Sequence, residues 1–574
     1  MILFNPFGAQ TLRRCVAGNA HAAEIADYLV AQACEICRAD VVSHVLDPDR
    51  GTLLETSRLL GGRIFTLGTA WMVTGHAAFR NRIIDEVQAA ADFPNWNRQH
   101  FIDTAEMMTA VAIGYDWSKD VMTARQRGAV VDGIVRLGLH PGLGSLKGGS
   151  GWTTAGTNWT LVCSGGLVVA AALLRSERTP LCEEVLDLAL PILQSGLEHF
   201  DAGGGWPEGA TYGEYGARYA ILAHEALAAA GLVQRQPQAM NGVSRHWRFQ
   251  RAMVGPSGMV FNAGDSLATA QRSPVAGWFA RRDGDREAAA WQWEISGKPH
   301  AFDLVWYNSP PEVKSVNGSP QRQIFDAGYA VLRQGRSYLA ARSGRNSTNH
   351  AHLDLGSFVL EIDAQRIVCD LGRGDYTAAD YFDPKGRFHH FPAQTRAHNV
   401  AFAQEQSLDA EARAIIDETE EARFAIEVSD PASPFRHLRA FQLAEDAAIV
   451  ADLLIPRQAL PPTVTWQCHT QLPAEVADDF VRFGGSAKGL CARLVSPSGQ
   501  ALTLAPVAAD GQQSIPASRL AAVLPVPPEG LLVACLFSHD ADWPDLAGLS
   551  GWLMRIAQDR WPDAAIAKRE HADG

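Results

Sequence analysis

The chain lacks the dense, evenly paired cysteines of a disulfide-stapled secreted domain: its nine cysteines are scattered singly except for Cys34 and Cys37. No second Cys-X-X-Cys accompanies that pair, and its neighbours have a helical pattern, so helix thiols are expected rather than half a zinc site or a redox couple. The opening Met1-Ile-Leu-Phe-Asn-Pro-Phe has no basic n-region, apolar h-region or small-residue cleavage site. That predicts a cytoplasmic protein, or a periplasmic one whose signal has been removed. The longest charge-free run, TLVCSGGLVVAAALL from Thr160 to Leu174, falls short of the ~17–25 residues needed to cross a bilayer and predicts a buried helix. Net positive charge is absent as well. With 50 Lys plus Arg against 63 Asp plus Glu, the formal charge of −13 sets up a field that opposes nucleic acid and anionic membranes. Any polyanionic ligand must be held by local cations or a metal. No fixed-period repeat is visible.

What is present describes a compact protein of 574 residues, 47% hydrophobic and 20% charged, long enough for two or three packed units. Residues 20–37, 103–117, 123–138, 160–174, 182–199 and 214–231 carry apolar side chains three and four apart, which predicts helices. Helix follows helix without strand patterns between, as in an all-α domain of paired helices. Near residue 320 the texture changes to short β-rich segments: Gly328–Arg333, Ser357–Asp363, Arg366–Asp370, Ala448–Ile455 and Leu531–Phe537, with turn pairs such as Asp363-Ala364 and Pro497-Ser-Gly. A large antiparallel sandwich is expected there. The Pro-, Asn- and Ser-rich stretch 296–320 reads as the linker, giving a helical domain over 1–315 and a β domain over 316–574.

Three clusters concentrate chemistry. In Asn349-His350-Ala-His352-Leu-Asp354 the two histidines are two apart, so on an extended segment both imidazoles face one side. With Asp370 and His398 they form either a zinc-type ligand set or loop histidines paired with acids. Gly203-Gly-Gly-Trp206-Pro-Glu208-Gly-Ala-Thr-Tyr212-Gly-Glu214-Tyr215 combines glycines with flat aromatic faces, which suits either a sugar ring or a helix start whose tyrosines cap a core. Asn158, in Thr157-Asn158-Trp159, opens the apolar helix and is readable as its N-cap.

Taken together with Asn97-Arg-Gln-His100-Phe-Ile-Asp-Thr-Ala-Glu106 and Ala112-Ile-Gly-Tyr-Asp-Trp117, these clusters make an ordered pattern that resembles the heparinase II/III-like polysaccharide lyases and the related uronyl epimerases. The resemblance implies an incomplete (α/α) toroid followed by an antiparallel β-sandwich. It also implies a lyase acting on uronic-acid-containing glycans, heparin or heparan type ahead of alginate and other acidic polymers; the opening sequence without a visible export signal adds the expectation of exolytic action on short chains. A uronyl C5-epimerase is the alternative. By the same resemblance Tyr212 and His350 are catalytic, Asn158 neutralises the uronate carboxylate, and His352, Asp370 and His398 hold a divalent metal, zinc by preference, that braces the sandwich. Relatives often carry a histidine close before the asparagine; here residues 153–157 read Thr-Thr-Ala-Gly-Thr, so Asn158 works alone or His100 fills the gap. Trp206, Glu208, Tyr215, Arg373 and Tyr376 are the remaining substrate contacts expected. The partner is an acidic poly- or oligosaccharide, with no nucleic acid or membrane; a homo-oligomer is left open.

The residue types suit β-elimination. The proton at C5 of a uronate is weakly acidic, so the carboxylate must be neutralised before a base can remove it. His350 as base and Tyr212 as acid serve one epimer, and Tyr212 in both roles serves the other. Arg373, Lys385, Arg387 and Arg396, with His389 and His390, supply cations that could steer a uronate. A glycoside hydrolase would need two opposed carboxylates, for which Glu208 and Glu214 are the obvious pair. A binding module without catalysis is the third class.

Overall fold

The computed structural model describes residues 3, 8–238, 240–310, 321–378, 380–383, 386–403, 406–457, 463–477, 479–484, 489–496, 502–506, 517–539 and 546–562, without the side chains of residues 418 and 504–506. Pro497-Ser-Gly, Lys385 and most of the opening heptapeptide lie outside the described residues.

Contacts group the chain into two units. The first, Met1–Phe200, Tyr212–Arg248 and Gln271–Val313, is helical, and its paired helices make the incomplete (α/α) toroid. Its centre is the helix pair Phe101–Ser118 and Asn158–Leu173, in which nearly every side chain is buried. Small residues make this close packing possible: a Cβ on Gly166 would stand 2.8 Å from the carbonyl of Ala105. The charge-free run is this second helix, and no helix among the described residues is long and apolar enough to cross a membrane. The helices expected from periodicity form, as Ala20–Arg38, Phe101–Ser118, Ala124–Ile134, Thr179–Leu197 and Ala210–Ala229. Leu54–Thr74, Ala77–Ala91, Pro274–Asp283 and Arg286–Glu294 are further helices that the apolar spacing did not single out. Cys34 and Cys37 are unpaired thiols on the helix Ala20–Arg38.

The second unit, Asp201–Thr211, Phe249–Ala270 and Lys314–Gly574, is built of antiparallel sheets. Two of its segments therefore come from inside the helical half, which a single cut at 315/316 does not provide for. They are fixed by specific polar contacts: the Asp201 carboxylate accepts from Gly203, Gly205 and Ala327 amides, and Arg366 donates to the carbonyls of Met259 and Val260. Within the expected linker, Ala301–Val305 is a buried helix, and residues 311–320 lie outside the described residues.

Five strands from Gln321 to Val368 form one sheet, in which Asp363 and Ala364, both with positive φ, make the two-residue hairpin turn between Phe358–Ile362 and Gln365–Val368. A nine-stranded sheet has Leu531–His539 and Ala447–Pro456 at its middle, and a four-stranded sheet contains Thr463–Thr470 and Ala401–Ala403. Their inner faces share one apolar core that includes Phe358, Phe441, Val450, Trp466 and Phe537. The helix Ala547–Arg560, absent from the sequence expectation, covers the outer face of the nine-stranded sheet with Leu549, Trp552, Leu553 and Ile556.

Candidate active site

In the helical unit, Asn158 is the first residue of its helix and is buried, while the N-cap position belongs to Thr157 and carries no side-chain cap bond. His100 precedes the helix Phe101–Ser118 and is held from two sides. Its Nδ1 lies 2.7 Å from Asp103 Oδ1, and its ring meets Trp159, the neighbour of Asn158, edge-on at 4.8 Å. Asp103 is itself fixed by the Leu53 amide and the Asn97 side chain. The structure thus brings His100 next to the Asn158 turn, where the sequence had left a gap.

Tyr212 and Tyr215, three apart on the helix Ala210–Ala229, share a helix face and are both half-buried. The Tyr215 hydroxyl hydrogen-bonds Glu106 Oε1, and Arg58 donates to the same oxygen from 3.3 Å while its guanidinium lies 5.4 Å from the Tyr215 ring centroid. Burial and the adjacent Glu106 push the Tyr215 phenol well above the usual tyrosine range, so it stays protonated with its hydroxyl committed to Glu106. Glu214 is buried and accepts from Ser273 Oγ at 2.7 Å and from the Val275 amide.

In the β unit the loop before Phe358–Ile362 carries the HxH motif, but not as an extended segment. His350 lies in a turn with φ 63°, so alternation along a strand is not what orients the two imidazoles. They meet instead on one buried carboxylate. Asp265 Oδ2 lies 2.8 Å from His350 Nδ1 and accepts from Arg387 Nη2 at 2.8 Å; Asp265 Oδ1 lies 3.0 Å from His352 Nε2 and accepts from the Tyr381 hydroxyl at 2.7 Å. Burial alone would raise the Asp265 pKa, yet Arg387 and the histidine hydrogen bonds hold it well below the usual carboxylate range. A carboxylate so held accepts hydrogen bonds from the groups around it. His350 Nε2 lies 4.0 Å from Glu208 Oε1.

Asp265, Tyr381 and the carboxylate-binding role of Arg387 were not legible in the sequence. Asp265 sits in Asn262-Ala-Gly264-Asp265-Ser266, and the Gly-Asp pair is the one local hint, a pair that other loops share. Arg387 was expected to be a steering cation; it is buried against Asp265 instead. Trp206 was expected to offer a flat face to sugar, but it has no exposed surface and donates its indole N–H to Glu208 at 2.9 Å. Glu208, also buried, further accepts from Asn349 at 2.6 Å. Glu208 and Glu214 are both buried and hydrogen-bonded within their own units. Arg373 lies over the half-buried Tyr376 ring, 4.1 Å from its centroid.

His352, Asp370 and His398 are all buried, with His398 Nδ1 at 2.8 Å from Asp370 Oδ2 and the two imidazole centroids 5.2 Å apart. Burial opposes charge on His398, but Asp370 outweighs it and raises its pKa; burial lowers that of His352. Among the described residues no group of three or more such side chains stands at metal-binding geometry. The donor chemistry nevertheless fits a metal: His352 Nδ1 and His398 Nε2 are buried without a protein partner, an arrangement that a bound cation or water would relieve.

Residues 317–519 match the family model "Heparinase II/III-like, C-terminal". No curated protein matches the chain by sequence. Among solved structures, heparinase III is 12% identical with TM-score 0.63, covering 83% of this chain and 76% of its own. Heparan sulfate lyase HepC from Pedobacter heparinus is 13% identical with TM-score 0.56, covering 95% and 93%. Chondroitin AC lyase from Streptomyces coelicolor A3 is 12% identical with TM-score 0.51, covering 96% and 84%. At these identities the likeness is one of fold.

Proposed function

We propose that this chain, whose residues 317–519 match the heparinase II/III-like C-terminal family model, is a polysaccharide lyase that cleaves uronic-acid-containing glycans by β-elimination. The observation that carries this reading is that the matched segment contains His350, His352, Asp370 and His398. Asn158, with His100 nearby, hydrogen-bonds the uronate carboxylate and stabilises the enolate charge, a contribution of roughly 3–4 kcal/mol per donor. His350 takes the C5 proton; the freed electron pair forms the C4–C5 double bond; the C4–O4 bond breaks; Tyr212 gives its phenolic proton to the departing oxygen. For the opposite C5 epimer Tyr212 both takes and returns the proton. Heparin- or heparan-type glycans are the favoured substrates, a preference in line with the fold likeness to heparinase III and heparan sulfate lyase HepC; attack is exolytic, on oligosaccharides. A divalent ion, zinc by donor type, is proposed at His352, Asp370 and His398; when bound it supplies a fixed positive charge that braces these loops.

The test is ultraviolet absorbance of the unsaturated uronate on heparin, heparan sulfate, chondroitin, hyaluronan and alginate, as polymers and as oligosaccharides. Product is expected with heparan oligosaccharides and should fall about a hundredfold or more in Tyr212→Phe. Deuterium entry at C5 from heavy water without unsaturated product would replace the lyase with an epimerase, and incorporation of solvent oxygen into the product would point to hydrolysis.

A further inference from the structure

His350 is held in a conformation it would not choose. Its backbone lies in the left-handed region, which a non-glycine residue keeps only where neighbours over-determine it. The neighbours here are Gly264 and Asp265. The Asp265 amide donates to the His350 carbonyl at 3.0 Å, while the Asp265 side chain binds the same residue's Nδ1. Gly264 makes that approach possible: its own φ is +58°, and a Cβ there would stand 2.5 Å from the His350 carbonyl oxygen. The Gly264 amide is in turn fixed by Asp354 Oδ2 at 3.1 Å. Backbone and imidazole of His350 are thus gripped by one residue that lies 85 positions earlier in the chain.

The far side of Asp265 is equally determined. Arg387 reaches it while donating Nε to the Ala351 carbonyl at 3.0 Å, so the counter-charge is tied to the backbone between the two histidines. Tyr381 holds the other oxygen and also receives the Gly374 amide on its hydroxyl. The carboxylate therefore cannot turn away from His350 without losing three further partners.

We propose that Asp265 is a positioning residue for the elimination, fixing the ring of His350 and keeping its proton on Nδ1 so that the basic lone pair lies on Nε2. The proposal rests on the lyase reading for its catalytic consequence and on geometry alone for the clamp. An orienting carboxylate of this kind selects both tautomer and ring direction, and its loss leaves a base that is present but wrongly presented.

Two measurements test it, and they fail separately. In the wild-type protein, ¹⁵N-histidine NMR at neutral pH, with His350 assigned by its loss in His350→Gln, should show the Nδ1–H form; an Nε2–H form overturns the clamp whether or not any glycan is cleaved. In turnover, Asp265→Asn should lower kcat about a hundredfold or more while KM stays within about twofold. In a His350→Ala background the same change should add less than about twofold, because the residue it positions is gone. An equal, additive loss in both backgrounds would make Asp265 a structural pillar only. Absence of unsaturated product from the wild type on every glycan sinks the lyase reading and leaves the NMR result standing.

Discussion

Two buried carboxylates in the β unit are built from the same parts and arranged differently. Asp452 accepts from His437 Nε2 at 2.6 Å, from Arg439 at 2.8 and 3.0 Å, and from the Trp466 indole at 3.0 Å. Asp265 likewise has histidine, arginine and an aromatic donor. Around Asp452 every partner lies on a strand: Arg439 is directly opposite in the ladder, His437 is two residues along the same face, and Trp466 comes from the four-stranded sheet. Around Asp265 the partners lie on loops, turns and, for Arg387, the start of a short 3-10 helix, and one of them has a left-handed backbone. Regular strands would hold their shape without Asp452, which adds stability and fixes register. The loops at Asp265 take their shape from the carboxylate, so there the same chemistry fixes a reactive side chain.

Substitutions can break this comparison, and the effects should come in a definite order. Largest is Asp452→Asn, which strands Arg439 in the core and should cost about 3–5 kcal/mol of unfolding free energy, measured by denaturant melts, with kcat per folded molecule unchanged. Loss of turnover without loss of stability at that position would erase the distinction. Next is Gly264→Ala, which meets both a left-handed φ and the His350 carbonyl; about 1–3 kcal/mol of stability should go together with most of the turnover, against no activity change for an alanine at the unobstructed Gly258 beyond its own strain. Third is acid. Burial alone would raise the Asp452 pKa, but Arg439 and His437 hold it down to about 2, below its unfolded value. Its share of stability is therefore complete above about pH 4 and is lost as pH falls toward about 2, on the order of 2 kcal/mol in all. Comparing acid melts of wild type and Asp452→Asn should show that this limb vanishes in the variant. The smallest effect is expected from Tyr381→Phe, which removes one of four donors to Asp265 and should cost about 1 kcal/mol by thermal melting.

The same contrast explains what could be read beforehand. Helices such as Asn158–Leu173 and strands such as Ala447–Pro456 announce themselves because the signal is local: a charge-free run, or a short β-branched stretch. His350 and His352 were correctly placed together, for the wrong reason, since a turn and a shared carboxylate rather than strand alternation bring them to one point. Asp265 left no local trace, being 85 residues from His350 and 122 from Arg387. Trp206 shows the converse failure: composition suggested an open sugar platform, whereas burial and Glu208 leave the indole inside the core. Asn158, readable from the sequence as an N-cap, is the first residue of its helix, one position after the N-cap Thr157.

The order of strands in the nine-stranded sheet carries a consequence for how the molecule is made. Leu531–His539 is the final strand among the described residues, yet it pairs with both Ala447–Pro456 and Leu490–Val495 near the middle of that sheet. Until the ribosome has released this segment, the strands on its two sides have no common neighbour and expose unpaired amides and carbonyls. A nascent chain stalled before residue 531 would hold two separate half-sheets, each a target for chaperones or for pairing with another copy.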